Sequence, residues 1–250
     1  HEIAAPQRAG GGGGDHPAAH LQHDQGHQVE HQQNAAPGAI VEQPHHAGQE
    51  QRLGGPHAQR QHDEDAVAPL ARAALEKIPA CDAVILSDYA KGVFSGNLAA
   101  TIIAEARAAG KPVIVDPKGT DYSRYAGAPL LTPNRAELAQ VVGDWSSEQD
   151  LTARAQGLRK KLSLKALLLT RSEEGMSLYT ETGELHIPTE AKEVYDVSGA
   201  GDTVIATVAV MLGAGLSMED AVRTANRAAG IVVGKLGTAS VTPKELWGTT

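Results

Sequence analysis

Apolar positions are spread very unevenly along this chain. From His1 to about Asp63 they are sparse, keep no period of 2 or 3.6, and are interrupted by an unbroken glycine run, Gly10–Gly14. Such a stretch cannot bury enough apolar surface to offset its ordering entropy, so residues 1–63 are expected to be disordered. From about Glu64 the pattern changes. Ala66–Ile78 predicts an amphipathic helix with a proline near its start, and Ala83–Ser87 a short buried parallel strand. Leu98–Ala109 reads as a helix stopped by Gly110, Pro112–Val115 as a second buried strand, and Pro129–Thr132 as a third. A helix is expected over Asn134–Val142 and another over Gln149–Leu162, followed by a strand at Ala166–Thr170. Met176–Thr180 and Gly183–Ile187 read as strands around the turn Glu181-Thr182-Gly183, and two helices, about Ala200–Leu212 and Met218–Val233, close the pattern.

Strands alternating with helices predict an α/β fold, a doubly wound, mostly parallel sheet with flanking helices, over residues 64–250. In that architecture ligands gather beyond the carboxyl ends of the strands, which is where Asp88, Asp116 and Asn134 fall.

Composition sharpens the division. Ten of the 11 histidines lie at or before His62, no aromatic residue precedes Tyr89, and no lysine precedes Lys77. The histidine spacing matches no metal motif and no cysteine accompanies it, so a metal-binding or His/Gln-rich interaction role is the weaker alternative. The chain starts with His, which fits a fragment or a stretch read in another frame. A net charge of -8 argues against a nucleic-acid partner. The single cysteine, Cys81, rules out an intramolecular disulfide framework. No membrane-length apolar run or signal peptide is recognisable, and a soluble, cytoplasmic protein is expected.

The strongest chemical signal is Asp196–Asp202, DVSGAGD, running straight into an apolar helix. Glycines on either side of Ala200 let the N–H groups of Gly199, Ala200 and Gly201 converge on an anion, at the positive end of that helix. An aspartate there repels the anion the loop attracts. The role that suits Asp202 is general base toward a hydroxyl attacking a phosphorus, the alternative being a helix-capping aspartate. Gly230–Lys235 is one residue short of a Walker A loop and keeps helical periodicity, so a P-loop is rejected.

The GAGD stretch resembles the second signature of the PfkB (ribokinase-like) carbohydrate kinases, in which that aspartate is the catalytic base. Thr207 departs from the small residue usual in the signature. Thr132-Pro-Asn-Arg-Ala-Glu137 resembles the family's N-x-x-E motif. The resemblance implies ATP and Mg²⁺ as cofactors, with Asn134 and Glu137 setting the metal and phosphate indirectly and Arg135 and Ala136 beside them. It also implies Thr170, Arg171, Ser172 and Gly175 near the nucleotide, and Asn226 to Gly237 along the adenine side. Lys118 is expected to meet a phosphate or form a surface salt bridge. Asp88 is expected to bind sugar hydroxyls or simply to end its strand.

The order and spacing of Ser87–Gly92, Val115–Thr120, Leu131–Asn134, Leu169–Ser172 and Gly234–Thr238 are similar to the family's heptose 7-phosphate kinases. That likeness implies transfer to heptose 7-phosphate, giving the 1,7-bisphosphate for ADP-heptose and lipopolysaccharide core synthesis, and it allows a homodimer. The family's N-terminal βα units and β-sheet lid are not recognisable in residues 1–63, so sugar transfer is expected to suffer more than nucleotide binding. The alternatives are a kinase of another sugar, or a non-catalytic fragment that binds nucleotide or a partner.

Overall fold

A computed structural model describes residues 56–94, 96–191 and 193–248. The fold below is that of the unit spanning Arg52–Thr250.

Its first element, α1 (Pro56–Lys77), begins ahead of the helix expected over Ala66–Ile78. Residues 56–63 are helical, with Pro56 at the first helical position, where its missing N–H costs nothing. The stretch His57-Ala-Gln-Arg-Gln-His-Asp-Glu64 is polar all round, so it carries no apolar period. Ala, Gln, Arg and Glu nevertheless favour the helix intrinsically. The rest of the segment expected to be disordered, 1–55, lies outside the described residues.

Six strands form one sheet in chain order: β1 (Val84–Ser87), β2 (Val113–Asp116), β3 (Leu130–Leu131), β4 (Ala166–Thr170), β5 (Met176–Thr180) and β6 (Gly183–Ile187). The first four pair in parallel, and β4–β5 and β5–β6 pair antiparallel. Helices α2 (Leu98–Ala108), α3 (Arg135–Val142) and α4 (Glu148–Lys161) lie in the crossovers. Helices α5 (Ala200–Gly213) and α6 (Met218–Val232) follow the last strand, and the short α7 (Pro243–Trp247) ends the unit. The rejected P-loop stretch falls within the last turns of α6 and the residues just after it.

Strand register decides which residues reach which face. Val115, Leu131 and Leu167 stand in one row and pack with Ile103, Leu138 and Leu158 of α2, α3 and α4. The neighbouring row, Ile114, Leu130 and Ala166, points the other way, onto Val204 and Val208 of α5 and Val222 of α6. Central parallel strands are therefore apolar on both faces, which is why β2, β3 and β4 read as continuous apolar runs. Among the described residues no helix is long and apolar enough to cross a membrane.

Candidate active site

Because β1 to β4 are parallel, their carboxyl ends lie along one edge of the sheet. There, α5 closes a cleft of about 260 Å³. Tyr89 enters it from beyond β1, Asp116 from the end of β2 and Lys118 from just beyond it, Thr132, Asn134 and Glu137 from the β3–α3 junction, and Thr170 from the end of β4. Gly199, Gly201 and Asp202 enter from the start of α5.

Gly199 is the N-cap of α5 and sits in the left-handed region at φ 77°, a conformation that disfavours any other residue. Its carbonyl accepts the Thr203 N–H, while among the described residues the N–H groups of Gly201 and Asp202 have no backbone acceptor. A Cβ on Gly201 would meet nothing within 4 Å, so the space beside that residue is open. Asp196, at the head of the same loop, locks it. One carboxylate oxygen accepts the Ser198 N–H at 2.8 Å and the other the Gly237 N–H at 3.1 Å. These bonds hold the Asp196 carboxyl below its usual pKa.

At the opposite wall, Asn134 and Glu137 form a capping box on α3. The Asn134 side chain accepts the Glu137 N–H, and Glu137 Oε2 accepts the Asn134 N–H, each at 2.9 Å. The other Glu137 oxygen pairs with Lys118 Nζ. That pairing leads the causes that raise the Lys118 pKa, so the ammonium stays charged. Asp116 is under-satisfied by comparison. Its only side-chain hydrogen bond among the described residues comes from Ser87 Oγ at 3.5 Å. Burial first, then the charge of Glu137, push its pKa from 3.8 up to about 6. Asp202 adds to the rise, and Lys118 and the Ser87 hydroxyl oppose it. Three carboxylates therefore face one lysine, and the cleft carries surplus negative charge.

The other residues singled out by sequence lie outside this cleft lining. Arg171 is buried and spent on Glu148, Glu174 and Ser177 Oγ. Arg135 pairs with Glu174 beneath its cation–π contact with Trp145, and Ala136 is exposed on α3. Ser172 opens the exposed turn between β4 and β5. Gly175 is needed in that turn because a Cβ would fall 2.2 Å from the Ile187 carbonyl oxygen. Asn226 is buried on α6 and donates to the Pro188 carbonyl at 2.8 Å, while Gly237 serves the Asp196 clamp. Asp88 is buried too, accepting Tyr125 Oη at 2.5 Å and the Ala90 N–H at 2.7 Å, with Arg124 at 3.8 Å.

Sequence reasoning placed Asp116 at a strand end but gave it no role, and it passed over Tyr89, Thr132 and the clamp made by Asp196. An aspartate directly after the apolar run PVIV was the available signal for Asp116. Nothing local marked the partner of Asp196, which is 41 residues away.

Among known proteins, the model of the pfkB family carbohydrate kinases matches residues 45–245. The D-beta-D-heptose 7-phosphate kinase of Bordetella bronchiseptica is 56% identical over 189 residues, 75% of this chain and 60% of that kinase. The bifunctional protein HldE of Aeromonas salmonicida is 55% identical over 172 residues, 68% of this chain and 36% of its own length. The chain thus spans 60% or less of these two relatives. Two solved structures share the fold. Arabidopsis thaliana ribokinase, complexed with ribose and ATP, has a TM-score of 0.61 at 24% identity, covering 70% of this chain and 57% of that one. Escherichia coli phosphofructokinase-2, in complex with potassium, has a TM-score of 0.63 at 20% identity, covering 74% and 61%.

Proposed function

Since the chain belongs to the pfkB family of carbohydrate kinases, we propose that its cleft serves transfer of the γ-phosphoryl group of ATP to a sugar phosphate. The acceptor is heptose 7-phosphate and the product its 1,7-bisphosphate, on the path to ADP-heptose and lipopolysaccharide core. The observation that carries this reading is the meeting of Asp202, the free N–H groups of Gly201 and Asp202, and the Asn134–Glu137 pair in one cleft, the Ala200 N–H being donated to the Val197 carbonyl at 3.2 Å. The reaction belongs in the cytoplasm, where ATP is available, and the family likeness allows a homodimer.

Each group has a distinct task in that chemistry. The Asp202 carboxylate accepts the proton of the attacking sugar hydroxyl. The N–H groups of Gly201 and Asp202, at the positive end of α5, receive the charge of the transferred phosphoryl oxygens. Lys118, held by Glu137, lies within the cleft to meet a phosphate. Excess negative charge at Asp116, Glu137 and Asp202 fits a divalent cation accompanying the nucleotide. Among the described residues no group of three or more His, Cys, Asp or Glu could hold a metal by itself. That suits Mg²⁺, which keeps several waters and takes phosphate oxygens as ligands. When bound, Mg²⁺ supplies charge neutralisation to the phosphates. Asn134, Glu137 and Asp116 would hold its water shell. Thr170 within the cleft, and outside its lining Arg135, Ala136, Arg171, Ser172, Gly175, Asn226 and Gly237, shape the walls around the nucleotide.

Calorimetry with MgATP and a coupled assay with heptose 7-phosphate test the reading. Asp202→Asn should leave the fold and nucleotide binding nearly unchanged and lower transfer by ~10²–10⁴-fold. A loss below about tenfold removes Asp202 as the base. A wild-type chain that neither binds MgATP nor transfers phosphate overturns the kinase reading.

A further inference from the structure

Among the described residues Tyr89 is the one aromatic side chain lining the cleft, and it stands 62% exposed. The aromatic and cation–π contacts of those residues, Tyr122 with Tyr125, Arg124 with Tyr125 and Arg135 with Trp145, leave it out. Its backbone is nonetheless fixed. Across Tyr89, Asp88 accepts the Ala90 N–H at 2.7 Å, and Asp88 is itself buried and held by the Tyr125 hydroxyl and Arg124. Ala90 closes this turn at φ 54°, in the left-handed region that an alanine side chain disfavours. Such strain persists only where the surroundings over-determine it, and it gathers at ligand sites. A buried carboxylate and a strained alanine thus serve the placement of one exposed ring.

Along the row of strand ends, Tyr89 and Thr170 stand at opposite limits, with Asp116 and Thr132 between them. Helix α5 packs on β1 and β2 and runs from Asp202 to Gly213, which lies against Asp82 just before β1. Asp202 therefore opens at the Tyr89 end of the row. The Asp88 N–H bonds the Asp116 carbonyl at 3.1 Å, so the ring begins one residue beyond that level. Lys118 is close as well. Its pKa is raised by the Glu137 hydrogen bond first, and Tyr89 is the last of the groups that add to the rise.

Resting on the kinase reading above, with the nucleotide on the β4 and α6 side, we propose that Tyr89 is a contact of the sugar acceptor. Its ring covers the C–H face of the sugar and turns the attacking hydroxyl toward Asp202. A sugar has an apolar C–H face and a rim of hydroxyls, and tyrosine offers an apolar ring with a polar tip to match. Adenine, the other planar partner for an aromatic ring, belongs to the far end of the row. A phosphate gains nothing from the negative face of the ring.

The test is NMR of heptose 7-phosphate with the full chain and a non-hydrolysable MgATP analogue, beside calorimetry of that analogue. Ring current moves the C–H protons of a stacked sugar upfield, and this shift is expected with the wild-type chain. Tyr89 is exposed, so the fold stands when it is changed. Tyr89→Ala should abolish the shift and weaken sugar binding ~tenfold or more, as loss of one aromatic contact implies. Tyr89→Phe keeps the ring and should retain the shift and most of the affinity. Binding of the analogue should be the same in both variants. A sugar bound without the shift, or a shift that survives Tyr89→Ala, overturns the proposal. Analogue binding that falls together with sugar binding in Tyr89→Ala does so too, since the ring would then serve the nucleotide. A chain that binds the analogue and no sugar also overturns it. Each of these leaves the kinase reading standing, whereas a chain that binds no nucleotide overturns that reading and this one together.

Discussion

Asp88 and Asp116 close neighbouring parallel strands, and the Asp88 N–H bonds the Asp116 carbonyl at 3.1 Å, yet their carboxylates live differently. Asp88 is buried against a tyrosine hydroxyl and a backbone N–H, with a guanidinium nearby. Asp116 has one long hydrogen bond and two like charges for company. A carboxylate that the protein itself satisfies is part of the scaffold. One left short of donors is a place for a ligand to act. The contrast reverses what strand position alone suggests, because both residues sit where ligands gather in such sheets.

The largest expected effect is on the scaffold side. Asp88→Ala strands the buried Tyr125 hydroxyl and takes away the acceptor of the Ala90 N–H, and should cost about 2–4 kcal/mol of stability. Tyr125→Phe, which removes one donor, should cost about 1–2 kcal/mol. Denaturant unfolding checks both, and a stable Asp88→Ala protein would break the comparison.

Asp116→Asn should act in the opposite direction. The raised pKa means that the folded state holds a proton more tightly than the unfolded chain. Stability from this group is therefore present below 3.8 and is lost as pH rises through about 6. The variant lacks that loss. Its melting temperature relative to wild type should climb between pH 4 and pH 7, by a few degrees at most because the group is partly exposed. Phosphate transfer should fall in the same variant. A melting difference that is flat with pH would show that Asp116 is no more strained than Asp88.

The smallest effect belongs to Ser87→Ala. It removes the one side-chain hydrogen bond that Asp116 accepts among the described residues, so the titration of Asp116 should move further up, by a fraction of a unit. Carboxyl titration followed by NMR reads this directly. A downward movement would assign the Ser87 hydroxyl another partner.

Much of the architecture was legible along the chain because parallel strands buried on both faces are short apolar runs, and because glycine ended α2 where expected. The α1 start was not legible, since a helix that is polar all round leaves no period. The capping box Thr242-Pro-Lys-Glu245 marks the start of α7, but a five-residue helix is too short to show an apolar period. Around the cleft, the GAGD turn and the Asn134–Glu137 pair were readable because each is a local motif with fixed spacing. The destinations of Arg171 and Asn226 were not, because their partners Glu148 and Pro188 lie 23 and 38 residues away.

By itself the sequence determined the element order, the glycine-flanked turn before α5 and the residue types that carry charge near it. All of these are set by local conformational preference and by the period of burial. Only the tertiary structure decided which carboxylates were satisfied. Whether Asp88 is scaffold and Asp116 a strained neighbour of Asp202 depends on donors and charges that strand register and helix packing bring together. A hydrogen bond or a desolvation penalty depends on distance through space, which spacing along the chain does not encode.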